Sequence, residues 1–423
     1  MMDYLRGLNL KQITDNTLSQ LISRLLLTSV SFLALLLITY FQGFNALGSV
    51  AKIVTYISFF YLIVDFGLNT MFIKYYHEST EKYIGSLLIL RLGLSLVLVT
   101  IAIIIASILP YNPSLNTGYT WIEKIGIIVF SLTIISQATS QSLSSILQRN
   151  LNNRVTIVPS IFSGFLLITS VFIGAKFGNL LLILFSYTLA QALYASLLYR
   201  EVKKRYNVTL IPQELKEFSL FLLKVSSPVA LVLVFNIILS RSDIFLLSLL
   251  KPNFDVGIYS FAYKIFDFLL LVPSLLASSV YPLLLHTESR TKFNEMFKKY
   301  VVLFFLLSLT LATITFSASP LIKYIRGDLS LSVPPLQILT LSLPFFFLTS
   351  LFQWVLIIKG RLKVLAAIYA TAMFLSVFLN LIYIPSFSYF ASSAITVTTE
   401  GLVFLLMLIY FLLERTKIFQ NKA

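Results

Sequence analysis

The sequence predicts an all-α polytopic membrane protein, with about twelve transmembrane helices in two sets of six. Three observations carry that prediction. First, 58% of the 423 residues are hydrophobic and only 12% are charged, with a mean hydropathy of +0.90. Soluble domains carry about 25% charge, so this chain has too little polar surface to cover a water-soluble globule. Second, its apolar residues fall into twelve runs of spanning length. Third, Lys and Arg are distributed unequally between the alternate connections.

The runs lie near 18–43, 49–73, 84–109, 121–147, 155–177, 179–199, 219–249, 257–285, 298–318, 333–358, 364–385 and 388–413. The first is too long for a cleaved signal, carries Arg24 and lacks a small-x-small cleavage site. With the N-terminus in the cytoplasm, the inner connections hold twenty-one Lys and Arg, against six outside at Lys52, Lys124, Lys176, Lys251, Lys323 and Arg326. That bias predicts a multi-pass protein with both termini cytoplasmic. It also accounts for the net charge of +15 as a topology signal, with no nucleic-acid partner. The longest polar connection, 200–218, reads as a basic cytoplasmic linker between an N-terminal lobe, 1–199, and a C-terminal lobe, 219–423. Ser19 to Arg24 opens the first run and Ser219 to Lys224 opens the seventh, each with a cation five residues after a serine. Two six-span repeats of like orientation would be related by an axis along the membrane normal.

Most informative are nine charges inside the runs. The cations are Arg24, Arg91, Lys224, Arg241 and Lys264, and the acids are Asp65, Asp243, Asp267 and Glu400. A charge at mid-bilayer costs at least ~2.5–3.5 kcal/mol, so each needs a partner or a wet cavity. Arg24, Arg91, Lys224 and Asp65 fall toward the inner face, Arg241, Asp243, Lys264 and Asp267 in the outer halves of their spans, and Glu400 near the middle. Each also has a structural explanation. Arg24 and Lys224 are near enough to the interface to snorkel. Asp243 could pair with Arg241 or Lys264, and Lys264 with Asp267 three residues on. Asp65 could end a helix before Gly67, and Glu400 could bond its threonine neighbours. Taken together, nine such residues point to a polar translocation route. Asn69, Gln137, Gln141, Asn236 and Gln353 are the uncharged polar residues expected to line it.

Other chemistry is sparse. With no cysteine, the chain has no disulfide, thiol nucleophile or Cys-ligated metal. His77 and His286 stand far apart in polar stretches and read as ordinary loop residues, so no metal site is expected. The sequence contains no P-loop, no dinucleotide fingerprint and no Gly-x-Ser-x-Gly elbow. The outer loops near 110–120 and 319–332 present no carboxylate pair for acid–base work. An enzyme is not expected, and no cofactor is, beyond H⁺ or Na⁺ as a coupling ion.

Several stretches resemble one family. Asp65-Phe66-Gly67-Leu68 is similar to that family's Asp-Phe-Gly-Leu element. Arg241-Ser242-Asp243 followed by Val256-Gly257-Ile258-Tyr259 and then Ala262 resembles its pattern of an Asp in span seven before Val-Gly-x-Tyr-x-x-Ala. Asn380 to Pro385, then Thr396 and Glu400, resembles its Asn-x-x-x-Ile-Pro … Ala-Thr-x-x-x-Glu stretch. The chain departs from the pattern after Pro385, where Ser388 and Ala391-Ser392-Ser393 stand in place of glycines. By this order and spacing the chain resembles the Wzx-type O-antigen flippases, the polysaccharide branch of the multidrug/oligosaccharidyl-lipid/polysaccharide exporter superfamily.

The resemblance implies two six-helix lobes around a cavity that opens alternately to each side of the bacterial cytoplasmic (inner) membrane. It implies as cargo an undecaprenyl-diphosphate-linked oligosaccharide, an O-antigen, capsule or exopolysaccharide repeat unit. Glycosyltransferases and a glycan polymerase would be the partners before and after transport. Five cations suit a diphosphate. The alternative is a drug or small-solute exporter of the same superfamily, driven by H⁺ or Na⁺ through Asp65, Asp243 and Glu400. Lipid II flippases, a nearer relative, usually have two further spans, for which this chain has no room.

Overall fold

In hydrocarbon every backbone N–H and C=O must be bonded within the protein, and a helix does this within each span. A computed structural model describes residues 10–76, 80–206, 211–285 and 290–413. His77 and His286 lie outside the described residues, as do Arg6, Arg415, Lys417 and Lys422 of the inner basic segments.

Helix α1 (Leu10–Asp65) holds two spans, broken at Gly43, whose φ of 75° suits only a residue without Cβ. Asp65 ends α1 as expected, and left-handed Gly67 (φ 68°) starts α2 (Leu68–Tyr75). A Cβ on Gly67 would come within 2.8 Å of Val229, so this turn excludes side chains on two counts. Helix α3 (Thr80–Ile108) leads to the short strands β1 (Tyr111–Asn112) and β2 (Thr117–Gly118). The fourth span is broken at Leu132 into α4 (Trp121–Ser131) and α5 (Thr133–Arg149). It opens on a capping box: the Thr120 hydroxyl accepts from the Glu123 backbone N–H, and the Glu123 carboxylate accepts from the Thr120 N–H at 2.7 Å. Helices α6 (Ile157–Lys176) and α7 (Leu180–Arg205) follow.

Next come α8 (Leu215–Leu250), which contains Pro228, α9 (Asn253–Leu285) and α10 (Arg290–Ala318). The tenth span joins α11 (Val333–Thr340) to α12 (Leu343–Ile358) across a 46° bend. Helix α13 (Leu362–Leu413) again holds two spans, with a break at Ser388 after Pro385. Counting the bent pair once and each broken long helix twice, the described residues contain the twelve expected spans.

The chain forms two compact units, 1–111 with 119–233, and 112–118 with 234–423. In unit 1, α6 packs on α1 and α7, α5 on α3 and α7, and α4 on α7. In unit 2, α9 and α10 pack on α12, and α11 and α12 pack on α13. The division falls inside α8, where the sequence expectation had the 200–218 linker. The cause is aromatic packing: Phe218 stacks on Tyr83, meets Phe72 edge-on at 6.0 Å and, with Leu222, is buried among Leu68, Leu87 and Leu198. The inner half of α8 is therefore anchored in unit 1. Much of the linker is itself helical, because α7 runs on to Arg205 and α8 begins at Leu215.

Candidate functional site

The buried charges of unit 1 are organised by the break between α1 and α2. Ending α1 at Asp65 leaves its carboxylate beside α3, where Arg91 is wholly enclosed. The guanidinium donates to Asp65 Oδ1 at 3.2 Å and to the Asp65 carbonyl at 3.4 Å. It also donates to Asn69 Oδ1 at 2.7 Å and to Ser142 Oγ at 3.4 Å. Asn69 in turn donates to the Gln141 carbonyl at 3.0 Å. One cation thus binds α1, α2, α3 and α5 together, and its Nε is a buried donor with no partner in the structure. Such a hub resists change, because removing either charge would strand the other.

Beside it, within unit 1, lies a cavity of about 550 Å³ lined by α1, α5, α6 and α7. Its polar lining comes from Gln137, Ser140, Gln141 and Ser144 on α5, Tyr187, Gln191 and Tyr194 on α7, and Ser31 and Ser163. Arg24 is the one charged residue among those lining it. The Arg24 side chain makes no ion pair or hydrogen bond with any other described residue, whereas Gln191 donates to Gln137 at 2.8 Å. The Gln141 Oε1 is a buried acceptor without a partner. A cavity of this size holds a small ligand, and its free groups are one guanidinium and an array of amides and hydroxyls.

Unit 2 sorts its charges differently. Arg241 on α8 pairs across to Asp267 on α9 at 3.3 Å and lies over the Tyr263 ring at 5.4 Å. Asp243, 3% exposed, makes no such ion pair. Its Oδ1 accepts from the Ile244 N–H at 2.7 Å, and its Oδ2 accepts from the Tyr259 hydroxyl and, at 3.5 Å, from Thr396. Glu400 on α13 accepts from Thr349 on α12 at 3.4 Å. Asp243 and Glu400 line the same small cavity, about 40 Å³, with Asn236, Ser240, Tyr263, Thr396 and Thr399. That is room for about three waters or one small cation.

Residues 11–288 match the description of a known family, "Polysaccharide biosynthesis protein". The chain belongs to that family. A search of the curated proteins returns no match. Among solved structures, the inward closed form of the lipid II flippase MurJ aligns with 17% identity over 95% of this chain and 89% of that one, at a TM-score of 0.72. An inward-facing multidrug resistance MATE transporter of the MOP superfamily aligns with 14% identity over 92% and 94%, at 0.70. A MOP superfamily transporter from Pyrococcus furiosus, whose reversed binding-pocket polarity suggested a different function, aligns with 12% identity over 96% and 95%, at 0.62. At these identities the likeness establishes the MOP transporter fold.

The expected site residues therefore separate. Arg24, Gln137 and Gln141 share the large cavity of this polysaccharide-biosynthesis chain, and Asn236, Asp243 and Glu400 share the small one. Asn69 is occupied by Arg91, and Gln353 accepts from Tyr369 at 3.1 Å. Arg91 presents no exposed surface. Lys224 is exposed on the half of α8 that belongs to unit 1. Three expected pairings are corrected. Asp267 is bonded to Arg241 and not to Lys264, because the guanidinium reaches across from the neighbouring helix. Asp243 is held by Tyr259 and Thr396 and not by a cation. Glu400 bonds Thr349 on another helix, and not one of its own threonines.

Sequence reasoning passed over Gln191, Tyr187, Tyr194 and Thr349, and named Tyr259 only as part of a motif, not as the partner of Asp243. It counted Lys52 among the outer basic residues without foreseeing that Lys52 is fully buried on α1, 5.7 Å from the Tyr119 ring. One overlooked signal was the run from Ser136 to Ser145, in which Ser, Gln and Thr fill eight of ten positions inside a nominal membrane span.

Proposed function

We propose that this protein moves an undecaprenyl-diphosphate-linked oligosaccharide, an O-antigen, capsule or exopolysaccharide repeat unit, across the bacterial cytoplasmic membrane by alternating access. The unit 1 cavity carries the reading, with its unpartnered Arg24 among glutamines, serines and tyrosines. A guanidinium matches a diphosphate oxygen by oxygen, and neutral amides and hydroxyls match sugar hydroxyls without the cost of burying further charge. The polyprenyl chain is as apolar as the bilayer and stays in it. Family membership and the likeness to a lipid II flippase support the same class of cargo. Both termini are cytoplasmic in this scheme. Glycosyltransferases supply the lipid-linked unit inside and a polymerase consumes it outside.

Energy comes from an ion. The Asp243–Glu400 cavity is the candidate site for H⁺ or Na⁺, since its free chemistry is two carboxylates with hydroxyl and amide oxygens around them. The same cavity, with the likeness to a MATE transporter, favours a second reading, ion-coupled export of a drug or small solute. Deleting the gene separates the two. A flippase leaves lipid-linked oligosaccharide accumulating in the inner leaflet and removes surface glycan. A drug exporter leaves the surface glycan intact and lowers drug resistance, and that result would sink the first reading.

A further inference from the structure

A further hollow, about 420 Å³, opens at the end of unit 1 that the Lys and Arg bias assigns to the cytoplasm. It is lined by Asn152, Arg154, Val155 and Val158 from the turn into α6, and by Glu201 and Arg205 from the last turns of α7. Glu201 accepts from Arg205 Nε at 3.2 Å and Nη2 at 3.0 Å, which fixes that guanidinium at the rim and cancels one charge. The Asn152 amide is taken by Tyr206 at 2.9 Å. The Arg154 side chain has no ion pair or hydrogen bond with any other described residue. The hollow therefore has a net charge of one positive, carried by a free guanidinium at the level of the lipid headgroups.

Its apolar wall continues into the membrane. Val158, which lines the hollow, is 53% exposed, and on the same face of α6 Ile161, Phe162 and Phe165 are 52%, 59% and 71% exposed. These positions follow the i, i+3, i+4, i+7 spacing of one helix face. They extend about 10 Å inward from the basic rim. Basic pockets between spans on the cytoplasmic side suit anionic lipid headgroups.

We propose that the Arg154–Arg205 hollow binds the phosphate of an anionic inner-leaflet phospholipid, with an acyl chain lying along Val158, Ile161, Phe162 and Phe165. The site is separate from the Arg24 cavity and does not depend on the identity of the transported glycan. Its occupant braces the ends of α6 and α7, two walls of that cavity, from outside.

The test is native mass spectrometry of the purified full-length protein titrated with dioleoylphosphatidylglycerol, dioleoylphosphatidylcholine or inorganic phosphate. The phosphatidylglycerol should bind at least tenfold more tightly than the zwitterionic lipid. Arg154→Ala should weaken it about fivefold, and adding Arg205→Ala should weaken it about fivefold again. Glu201→Gln removes a like charge and should strengthen binding. Lys203→Ala with Lys204→Ala, on the same helix but off the hollow, should change binding less than twofold. All five side chains are at the surface, so folding should survive and can be checked by an unchanged melting temperature. Equal binding of the two lipids, or an unchanged Arg154→Ala, would overturn the proposal. Displacement of the bound lipid by millimolar inorganic phosphate would make this a free-anion site and overturn the lipid assignment.

Discussion

Unit 1 and unit 2 each hold an arginine–aspartate pair within their spans and leave opposite signs facing their cavities. In unit 1 the carboxylate is consumed: Asp65 is locked to Arg91, so the charge left in the cavity is the cation Arg24. In unit 2 Arg241 is locked to Asp267 and Lys264 is not among the residues lining the cavity, so the charges that face it are the acids Asp243 and Glu400. The cavities differ in size as well, about 550 Å³ against about 40 Å³. The ion pairs thus decide which free charge is available where. A large cationic cavity suits an anionic headgroup and a small acidic one suits a coupling ion, so the proposed function assigns cargo to unit 1 and drive to unit 2.

The largest expected effect breaks the comparison at its structural pair. Arg91→Ala leaves the half-buried Asp65 carboxylate without its cation and frees the acceptors of Asn69 and the Asp65 carbonyl. It should destabilise the protein by roughly 1.5–3 kcal/mol, seen as lost membrane protein and a lowered melting temperature. If Arg91→Ala folded normally and lost only transport, Arg91 would belong with Arg24.

A smaller effect sharpens the unit 2 side. Glu400→Gln keeps the shape and the acceptor for Thr349 but cannot exchange a proton. It should slow glycan export severalfold with little change in cargo binding, and flatten the dependence of export on pH if the ion is H⁺. If the ion is Na⁺, the same change should instead flatten the dependence on sodium. Wild-type export with both responses intact would reduce Glu400 to a brace between α12 and α13.

The smallest effect lies in the helix break of unit 2. Ser388 adopts φ 49°, a conformation that favours glycine, and its hydroxyl donates to Asp255 on α9. Lys251 Nζ donates to the Pro385 carbonyl at 2.8 Å on the same bend. Ser388→Gly trades a hydrogen bond for relief of about 1 kcal/mol of backbone strain, so the melting temperature should move by no more than a degree or two. Ser388→Ala loses the bond and keeps the strain, and should melt lower than Ser388→Gly.

Much of the fold was legible because the apolar runs are long and the bilayer admits few solutions. The run that ends at 43 and the run that begins at 388 meet the backbone breaks at Gly43 and Ser388. The end of α1 at Asp65 was legible because Asp and Gly both favour breaks. The site was less so. Periodicity places Arg241 and Asp267 on adjacent spans, but which of Asp243, Lys264 and Asp267 takes the guanidinium depends on helix rotation and side-chain reach. Arg24 and Arg91 look alike in sequence, each a lone arginine toward the inner face. Their difference comes from Asp65 and Asn69, brought to Arg91 by the α1–α2 turn, and no such partner among the described residues reaches Arg24. The 200–218 linker was a sound reading of composition, but composition does not show that Phe218 finds its aromatic partners in unit 1.

The division of cargo and drive is tested most directly by binding of a polyprenyl-diphosphate-linked sugar to the purified protein, compared across Arg24→Ala, Arg24→Lys and Asp243→Asn. Losing a charge-assisted contact to a phosphate weakens binding on the order of 10- to 100-fold. Arg24→Ala should show that loss with an unchanged melting temperature, Arg24→Lys should recover part of it, and Asp243→Asn should bind as the native protein does. Native affinity in Arg24→Ala, or a loss as large in Asp243→Asn, would contradict the assignment of the anionic cargo to unit 1.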